Sequence, residues 1–419
     1  MRIIWSANAP WCHTGYGVQG KYLLPRMHRM GHETACCAWY GLEGGSLTIQ
    51  VDGAPIKVYP KGTRHWGLDV LPYYIEDFGA DLVLSLQDVW VLPPTYKQTL
   101  GNVAWAVWFP VDHDPIPDKI LTSAKAADFP ITYSKWGREI AKDAGLDTTY
   151  IPHAVDTTIF SPGDKIAARQ ELGLPLDAYI VAMVAANKGF PARKSFPEAL
   201  LAFAKFAKSR ADINPVLYVH CDPTTTNKGV DLIEMAKSLG IERRVKYAPR
   251  AAYITGLPDE YVANVYRAAD VKLLPSRSEG FGLPIIEAQA CGTPVITSRF
   301  ASMTELTVNG VSVPPVQPWW SPLNAWQATA SAEHVYRALE EVASWDQAKR
   351  DDMAAKGRQH VVDNYDWDVV AETHWRPFLE WVERHVAYRK RGRIVQSWMQ
   401  YGKQKAPAPE PEAAKDADA

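Results

Sequence analysis

The segment VKLLPSRSEGFGLPIIEAQACGTPVI, residues 271–296, decides how the rest of the chain is read. Val271 to Leu274 is a short apolar run of strand type, a loop containing Gly280 and Gly282 follows, and Pro284 suits the first turn of a helix that Gly292 stops. The segment then returns to an apolar strand, so it reads strand, glycine loop, helix, strand. Glu279 falls in the loop just before the helix N-terminus, and Glu287 falls one turn inside it. Helical side chains lean toward the N-terminus. Both carboxylates can therefore approach one ligand lying over that end. The amides of Gly280, Phe281, Gly282 and Leu283 point into the same space, where the helix dipole favours an anion and the absent glycine side chains let a phosphate come close. A phosphate flanked by two hydroxyl-binding carboxylates describes a nucleotide sugar. The plainer alternative for Glu287 is an ordinary, partly exposed helical residue.

The same alternation extends in both directions. Upstream lie a strand from Tyr179 to Ala185, a helix that Ser195 and Glu198 open as a capping box and that runs through Arg210, a strand from Val216 to His220, a helix from Val230 to Leu239, a strand from Arg244 to Ala248 and a helix from Glu260 to Ala268. The N-terminal half opens with a strand from Arg2 to Ser6, the turn His13-Thr14-Gly15-Tyr16-Gly17, a helix to Met30 and a second strand from Glu33 to Trp39. Continuous apolar runs at 81–86, 103–109 and 129–133 have the look of buried parallel strands. Ser134 is a plausible cap for a helix from Lys135 to Ala144 that Gly145 ends. The pattern lapses between Pro152 and Pro175, which places a domain boundary there. The fold class is thus α/β, with two doubly wound parallel sheets. A long amphipathic helical pattern runs from Trp367 to Val386. The stretch from Ala406 is rich in proline, alanine and acid, as disordered tails are.

A chain of 419 residues exceeds one ordinary core, and 47% hydrophobic with 22% charged residues is a globular composition. A net charge of -2 gives no general attraction to nucleic acid or anionic lipid. Five cysteines without metal-ligand spacing point to a reducing compartment, and neither a membrane span nor a secretory signal is evident, so a cytoplasmic location is expected. The 16 tryptophans, among them Trp39, Trp66, Trp90, Trp105, Trp108 and Trp136, read first as core, with stacking on a sugar as the minority use. The basic run Arg384, Arg389, Lys390, Arg391 and Arg393 reads as a solvated helix end, with weak contact to an anionic surface as the alternative.

E-G-F-G-L-P-x-x-E, followed by A-x-A-x-G-x-P-V-I, resembles the E-x7-E signature of retaining glycosyltransferases of family 4, which have the GT-B fold. The resemblance runs through nearly the whole second domain and more weakly through the first. It implies two Rossmann-like domains facing across a cleft: an acceptor-side domain over 1–165, completed by a helix at about 370–402, and a nucleotide-sugar domain over 166–369, with 406–419 as a tail. It further implies that Glu287 binds the ribose hydroxyls, that Glu279 contacts the donor sugar near its C3 and C4 hydroxyls, and that the amides after Glu279 hold the diphosphate. The basic pair expected after the first strand of this domain matches Arg193 and Lys194 in Val184-Ala-Ala-Asn187-Lys-Gly-Phe-Pro-Ala-Arg193-Lys194-Ser195. Asn187 stands where many relatives carry arginine, so Arg193 or Lys188 is the replacement for that cation. In the first domain, Gly15 and Gly17 resemble the glycine loop that approaches phosphate and sugar. The family histidine that faces the donor sugar corresponds to His113, with Asp112 as alternate. Ile151-Pro-His153-Ala154-Val155-Asp156 resembles a hinge element with Ala154 in place of glycine.

These assignments describe a metal-independent enzyme without cofactor that moves a sugar from a UDP- or GDP-sugar to an acceptor hydroxyl: saccharide, lipid, protein or modified nucleic acid. A metal is not called for, because Lys194 and helix amides supply the countercharge a departing diphosphate needs. An epimerase would be expected to lack the two-glutamate element, and a phosphorylase would need a pyridoxal lysine. A degenerate GT-B domain that binds sugars or acts as a scaffold is the alternative outside enzymology.

Overall fold

A computed structural model describes residues 1–189, 192–226 and 228–388. The first sheet is built from β1 (Arg2–Asn8), β2 (Glu33–Tyr40), β3 (Leu47–Val51), β4 (Ala54–Tyr59), β5 (Leu82–Leu86), β6 (Ala104–Phe109), β7 (Phe129–Thr132) and β8 (Thr149–Tyr150). Its order is β3-β4-β2-β1-β5-β6-β7-β8, parallel except for the β3–β4 hairpin. The second sheet contains β9 (Tyr179–Val184), β10 (Pro215–His220), β11 (Val245–Tyr247), β12 (Val271–Leu274), β13 (Val295–Ser298) and β14 (Val311–Val313), in the order β11-β10-β9-β12-β13-β14 and parallel throughout. A separate antiparallel pair, β15 (Pro315–Trp320) with β16 (Trp326–Ala330), follows it.

The continuous apolar runs behave as sheet interiors covered on both faces. Every residue of β5, β6, β9 and β12 is buried. Among the tryptophans, Trp5, Trp105 and Trp108 are fully buried, whereas Trp90 is 39% exposed.

Each sheet reverses winding direction once, and that reversal positions everything functional. In the first sheet β2 and β5 flank β1, so the loops after β1 and β5 open into one crevice. In the second sheet β10 and β12 flank β9, so the loops after β9 and β12 do the same. Crevices at the carboxyl ends of such strands are where α/β sheets take ligands.

Three features depart from the expectations. The β3–β4 hairpin is an addition that the sequence reading passed over. Gly15 to Gly17 do not form a turn: Thr14 caps the helix Gly15–Arg29 through its hydroxyl, and the glycines are its first turn. Ser195 is no capping-box residue, since its φ of +51° is left-handed, its hydroxyl makes no cap bond, and Glu198 turns to Arg277 at 3.6 Å instead.

The chain returns to the first half after the helix Gln347–Tyr365. Val155 and residues 365–367 exchange backbone hydrogen bonds, Trp367 stacks on Tyr22 at 5.9 Å, Arg26 pairs with Asp368 at 2.8 Å, and Trp375 meets Trp108 edge-on at 5.0 Å. Residues 376–388 are helical and belong to a second unit, within which Trp381 packs on Phe378 and His385. Arg384 lies there. The rest of the expected helix to 402, the basic residues Arg389, Lys390, Arg391 and Arg393, and the tail over 406–419 lie outside the described residues. Among the described residues no helix is long and apolar enough to cross a membrane.

Candidate active site at the two sheet crevices

Glu279 leaves β12 in a loop whose shape is set by Gly282, with φ +108° and serving as N-cap of the helix Leu283–Ala290. Pro284 occupies its first turn and Gly292, at φ +79°, follows its end. The Ser302 hydroxyl, 2.8 Å from the Glu279 carbonyl and 2.6 Å from that of Phe281, holds the loop from behind. The Phe281 ring faces inward, edge-on to His153 and Tyr365. Only the backbone of Phe281 is therefore left for a ligand, alongside the first-turn amides that have no intrahelical acceptor.

Glu279 is 5% exposed and fully partnered. Lys194 Nζ donates to Oε1 at 2.5 Å, the Ser276 hydroxyl donates to the same oxygen at 2.6 Å, and Arg193 Nη1 donates to Oε2 at 3.2 Å. Arg193 also donates to the Ser278 carbonyl at 2.5 Å. Burial alone would raise the Glu279 carboxyl, but Lys194 and Arg193 overcome it and hold the group at about 2. Burial and the neighbouring Arg193 push Lys194 down to about 8 despite Glu279. Arg193 is held upward by Glu279, Asp112 and Asp88 against its own burial. Its side chain keeps 41% of its surface exposed.

The loop after β6 closes over this cluster from the first half. The Ser278 hydroxyl donates to the Asp112 carbonyl at 2.5 Å, and a Cβ on Gly280 would stand 2.4 Å from Pro110 Cβ, so the two loops touch. His113 is 3% exposed and its Nδ1 lies 2.7 Å from Asp112 Oδ1. The carboxylate can only accept, so Nδ1 carries the proton that faces it. Burial raises the Asp112 carboxyl, while His113 and Arg193 lower it further than that, leaving it below its ordinary value. Gly15 borders the same space: a Cβ there would reach Leu283 at 3.7 Å.

Glu287 lies one turn along the helix, half-buried, where it accepts the Tyr266 hydroxyl at 2.7 Å. Burial pushes its carboxyl up to about 7.

Arg193, Lys194, Glu279, Asp112, His113 and Gly15 thus surround one crevice, with Gly280, Gly282 and Leu283 at its floor and Glu287 behind. Two assignments need correction. Asn187 does not face a ligand: its amide nitrogen donates to the carbonyls of Asp222, Thr224 and Val230, and its oxygen accepts the Val230 amide at 2.9 Å. Its polar atoms are consumed in tying down the 222–230 loop. Gly17 is glycine for a local reason, because a Cβ would lie 2.3 Å from the Cys12 carbonyl. Lys188 is exposed and adds only a lowering influence on Asp88.

Two residues of the site were not foreseen. Asp88, two residues past β5, accepts the Tyr16 hydroxyl at 3.0 Å, and its carboxyl is raised by burial and by Asp112. Lys272 is fully buried inside β12, its Nζ 3.5 Å from the carbonyls of Val184 and Leu273, and burial with Lys194 nearby lowers it to about 7. The signal for Lys272 was a cation inside an apolar strand. For Asp88 it was strand order, which alone brings β5 beside β1. Among the described residues no group of three or more side chains is arranged to hold a metal ion.

Residues 164–360 match the family model of the group 1 glycosyl transferases. D-inositol 3-phosphate glycosyltransferase of Mycolicibacterium smegmatis is 39% identical over 161 residues, 38% of this chain and 33% of that protein. D-inositol 3-phosphate glycosyltransferase 2 of Catenulispora acidiphila is 32% identical over 234 residues, 53% of each chain. The chain spans about a third to a half of the length of the curated relatives it matches. In three dimensions, sucrose-phosphate synthase from Thermosynechococcus elongatus superposes with a TM-score of 0.69 at 16% identity, covering 91% of this chain and 99% of that one. The Anabaena protein HepE, solved in complex with UDP-glucose, gives 0.67 at 14% identity, covering 91% of this chain and 100% of its own. The fold is GT-B, and the sequence likeness to the group 1 glycosyl transferases resides in residues 164–360.

If Asn187 is a structural knot, Asn187→Ala leaves the Val230 amide without its acceptor and should lower stability by about 1–3 kcal/mol. Chemical denaturation should register that loss while UDP binding by the folded fraction is unchanged. Full stability with lost UDP affinity would return Asn187 to the binding site.

Proposed function

We propose that this chain is a retaining glycosyltransferase that moves a sugar from a UDP- or GDP-sugar to an acceptor hydroxyl without a metal ion. The observation that carries the reading is the pairing of Arg193 and Lys194 with Glu279 beside a glycine-opened helix N-terminus. Two cations converge on one carboxylate, with Asp112 and Asp88 also acting on Arg193, and their N–H groups are fixed where a diphosphate would lie. Helix amides add to them, and this arrangement can stabilise a departing diphosphate. The likeness of residues 164–360 to group 1 glycosyl transferases supports the same reading. So does the name of the relatives, which glycosylate inositol 3-phosphate.

In this account Glu287 accepts both ribose hydroxyls, with Tyr266 giving up its bond or sharing it. Glu279, already ionised and fixed by Lys194 and Ser276, receives hydroxyls of the transferred sugar. The bond between the anomeric carbon and the β-phosphate oxygen breaks, and its electron pair stays on that oxygen. Acceptor oxygen bonds to the same face of the carbon, and its proton passes to the leaving phosphate. Lys194 and Arg193 stabilise the charge that develops there. His113, oriented by Asp112, steadies the sugar through Nε2 or its backbone carbonyl as positive charge builds at the anomeric carbon.

The first test is slow hydrolysis of UDP- and GDP-sugars without acceptor, in the presence of EDTA, with the product anomer read by NMR. Hydrolysis with the anomeric configuration retained is expected. An inverted product overturns the mechanism, activity that returns only with Mg²⁺ overturns metal independence, and donor binding without any turnover would favour a non-catalytic sugar-binding domain.

A second test is pH dependence. The ribose needs the ionised form of Glu287, whose proton leaves at about 7, and the diphosphate needs charged Lys194, which loses its proton at about 8. Affinity for a sugar nucleotide should therefore rise from pH 6 to 7 and fall again above 8. Glu287→Gln should abolish the acid limb only, and should weaken binding by more than the ~1 kcal/mol of a neutral hydrogen bond. An acid limb that persists in Glu287→Gln would remove Glu287 from the ribose site.

A further inference from the structure

The β15–β16 hairpin carries tryptophans that the donor site does not use. Trp320 and Trp326 are directly opposed across the two strands, 50% and 43% exposed, with ring centroids 4.7 Å apart at 71°. Indoles left in water in this way forfeit a large hydrophobic gain. Their neighbour Trp319 has a partner, since the Arg277 guanidinium lies 4.8 Å over its ring. Trp320 and Trp326 lie on the other side of the hairpin.

The hairpin is a fixed part of the crevice. The Asp114 amide donates to the Trp326 carbonyl at 3.1 Å, and the Ala328 amide donates to the Arg277 carbonyl at 3.2 Å. Between the strands, Leu323 packs against the hydrophobic core beneath the first sheet. The hairpin therefore extends from the second sheet to the loop that carries Asp112 and His113, and the backbone carbonyl of Trp326 is bonded one residue from His113. Asp114 and Asp118, both exposed, follow His113 along the chain.

We propose that Trp320 and Trp326 form the acceptor platform of this crevice and that the acceptor they take is a neutral saccharide. This rests on the glycosyltransferase reading and names its second substrate. A pyranose ring presents a face of C–H groups that covers an indole, while its hydroxyls need acceptors at the rim, and the carboxylate of Asp114, whose own amide is bonded to Trp326, can supply one. A phosphorylated acceptor is disfavoured by Asp114 and Asp118, because like charges placed together cost binding energy. The Asp114–Trp326 backbone bond ties the hairpin to the loop that carries His113, so a ring seated on the tryptophans would direct a hydroxyl toward the crevice where the donor's anomeric carbon would lie.

The test uses the full chain with UDP-glucose and with GDP-mannose as donors, following nucleoside diphosphate release. Glucose, maltose, cellobiose and lactose are added in turn, and D-inositol 3-phosphate serves as the anionic comparison. At least one neutral sugar should accelerate release in the unaltered protein. Trp320→Ala and Trp326→Ala should raise the sugar concentration needed for half-maximal acceleration about tenfold, with the Phe variants closer to the unaltered protein. Donor KM and acceptor-free hydrolysis should not move. The platform is overturned if half-saturation is unchanged, if acceptor-free hydrolysis falls in parallel, if only the inositol phosphate accelerates release, or if the substitutions change only the oligomeric state seen by light scattering. Quenching of tryptophan fluorescence by the same sugars, lost in both Ala variants, reads the platform without any donor. Quenching with no donor turnover would leave the platform standing and discard the transferase reading; turnover with neither quenching nor acceleration would do the reverse.

Discussion

The site depends on one buried carboxylate held between two cations. Glu279 accepts Lys194, Ser276 and Arg193 while 5% exposed, and removing it would leave Lys194 unbalanced in a low-dielectric interior. The triad joins the loop after β9 to the loop after β12, which meet only because β9 and β12 are neighbours at the winding reversal. A charged cluster that is costly to form and costly to break is poorly suited to adding stability. It is well suited to holding a guanidinium and an ammonium at fixed positions beside a helix N-terminus, and a diphosphate would meet those groups already oriented.

The first half completes the crevice through polar contacts of its own. Ser278 anchors the Asp112 carbonyl, Asp112 accepts from His113 Nδ1, and Tyr16 donates to Asp88. Farther out, the Lys21 ammonium and the Tyr22 hydroxyl both reach Asp259, at 2.9 and 2.8 Å, so the helix after β1 is tied to the helix Asp259–Ala268. The return of residues 365–375 onto Val155, Tyr22 and Trp108 braces the same side.

Much of this was legible before the structure. The apolar runs at 81–86, 103–109 and 271–274 announced buried parallel strands because nothing in them alternates. Glu279, Gly282 and Pro284 located a loop-to-helix junction from local chemistry alone. What escaped detection depends on neighbours distant in sequence. Asp88 becomes a site residue only because β5 lies beside β1, and Lys272 was hidden because a strand pattern tolerates one polar residue. Asn187 looked like a weakened ligand because sequence does not reveal that the backbones of Asp222, Thr224 and Val230 come back onto it. The β3–β4 hairpin lies at a sheet edge, where Leu47 to Val51 are half exposed and give only a faint apolar signal. Ser195 misled because the capping-box letters are independent of φ, and here the backbone is left-handed.

The account stands on positive charge at Arg193 and Lys194 being meant for a diphosphate. The most direct measurement is calorimetric titration of UDP and of uridine into the unaltered protein and into Lys194→Met, which keeps the length of the side chain and removes its charge. UDP should bind at least about tenfold more weakly to the variant, the loss expected for a partly buried charge-assisted contact, while uridine binds both proteins alike. Equal UDP affinity in the two proteins, or an equal loss for uridine, would contradict the claim that this cluster exists to hold the leaving group.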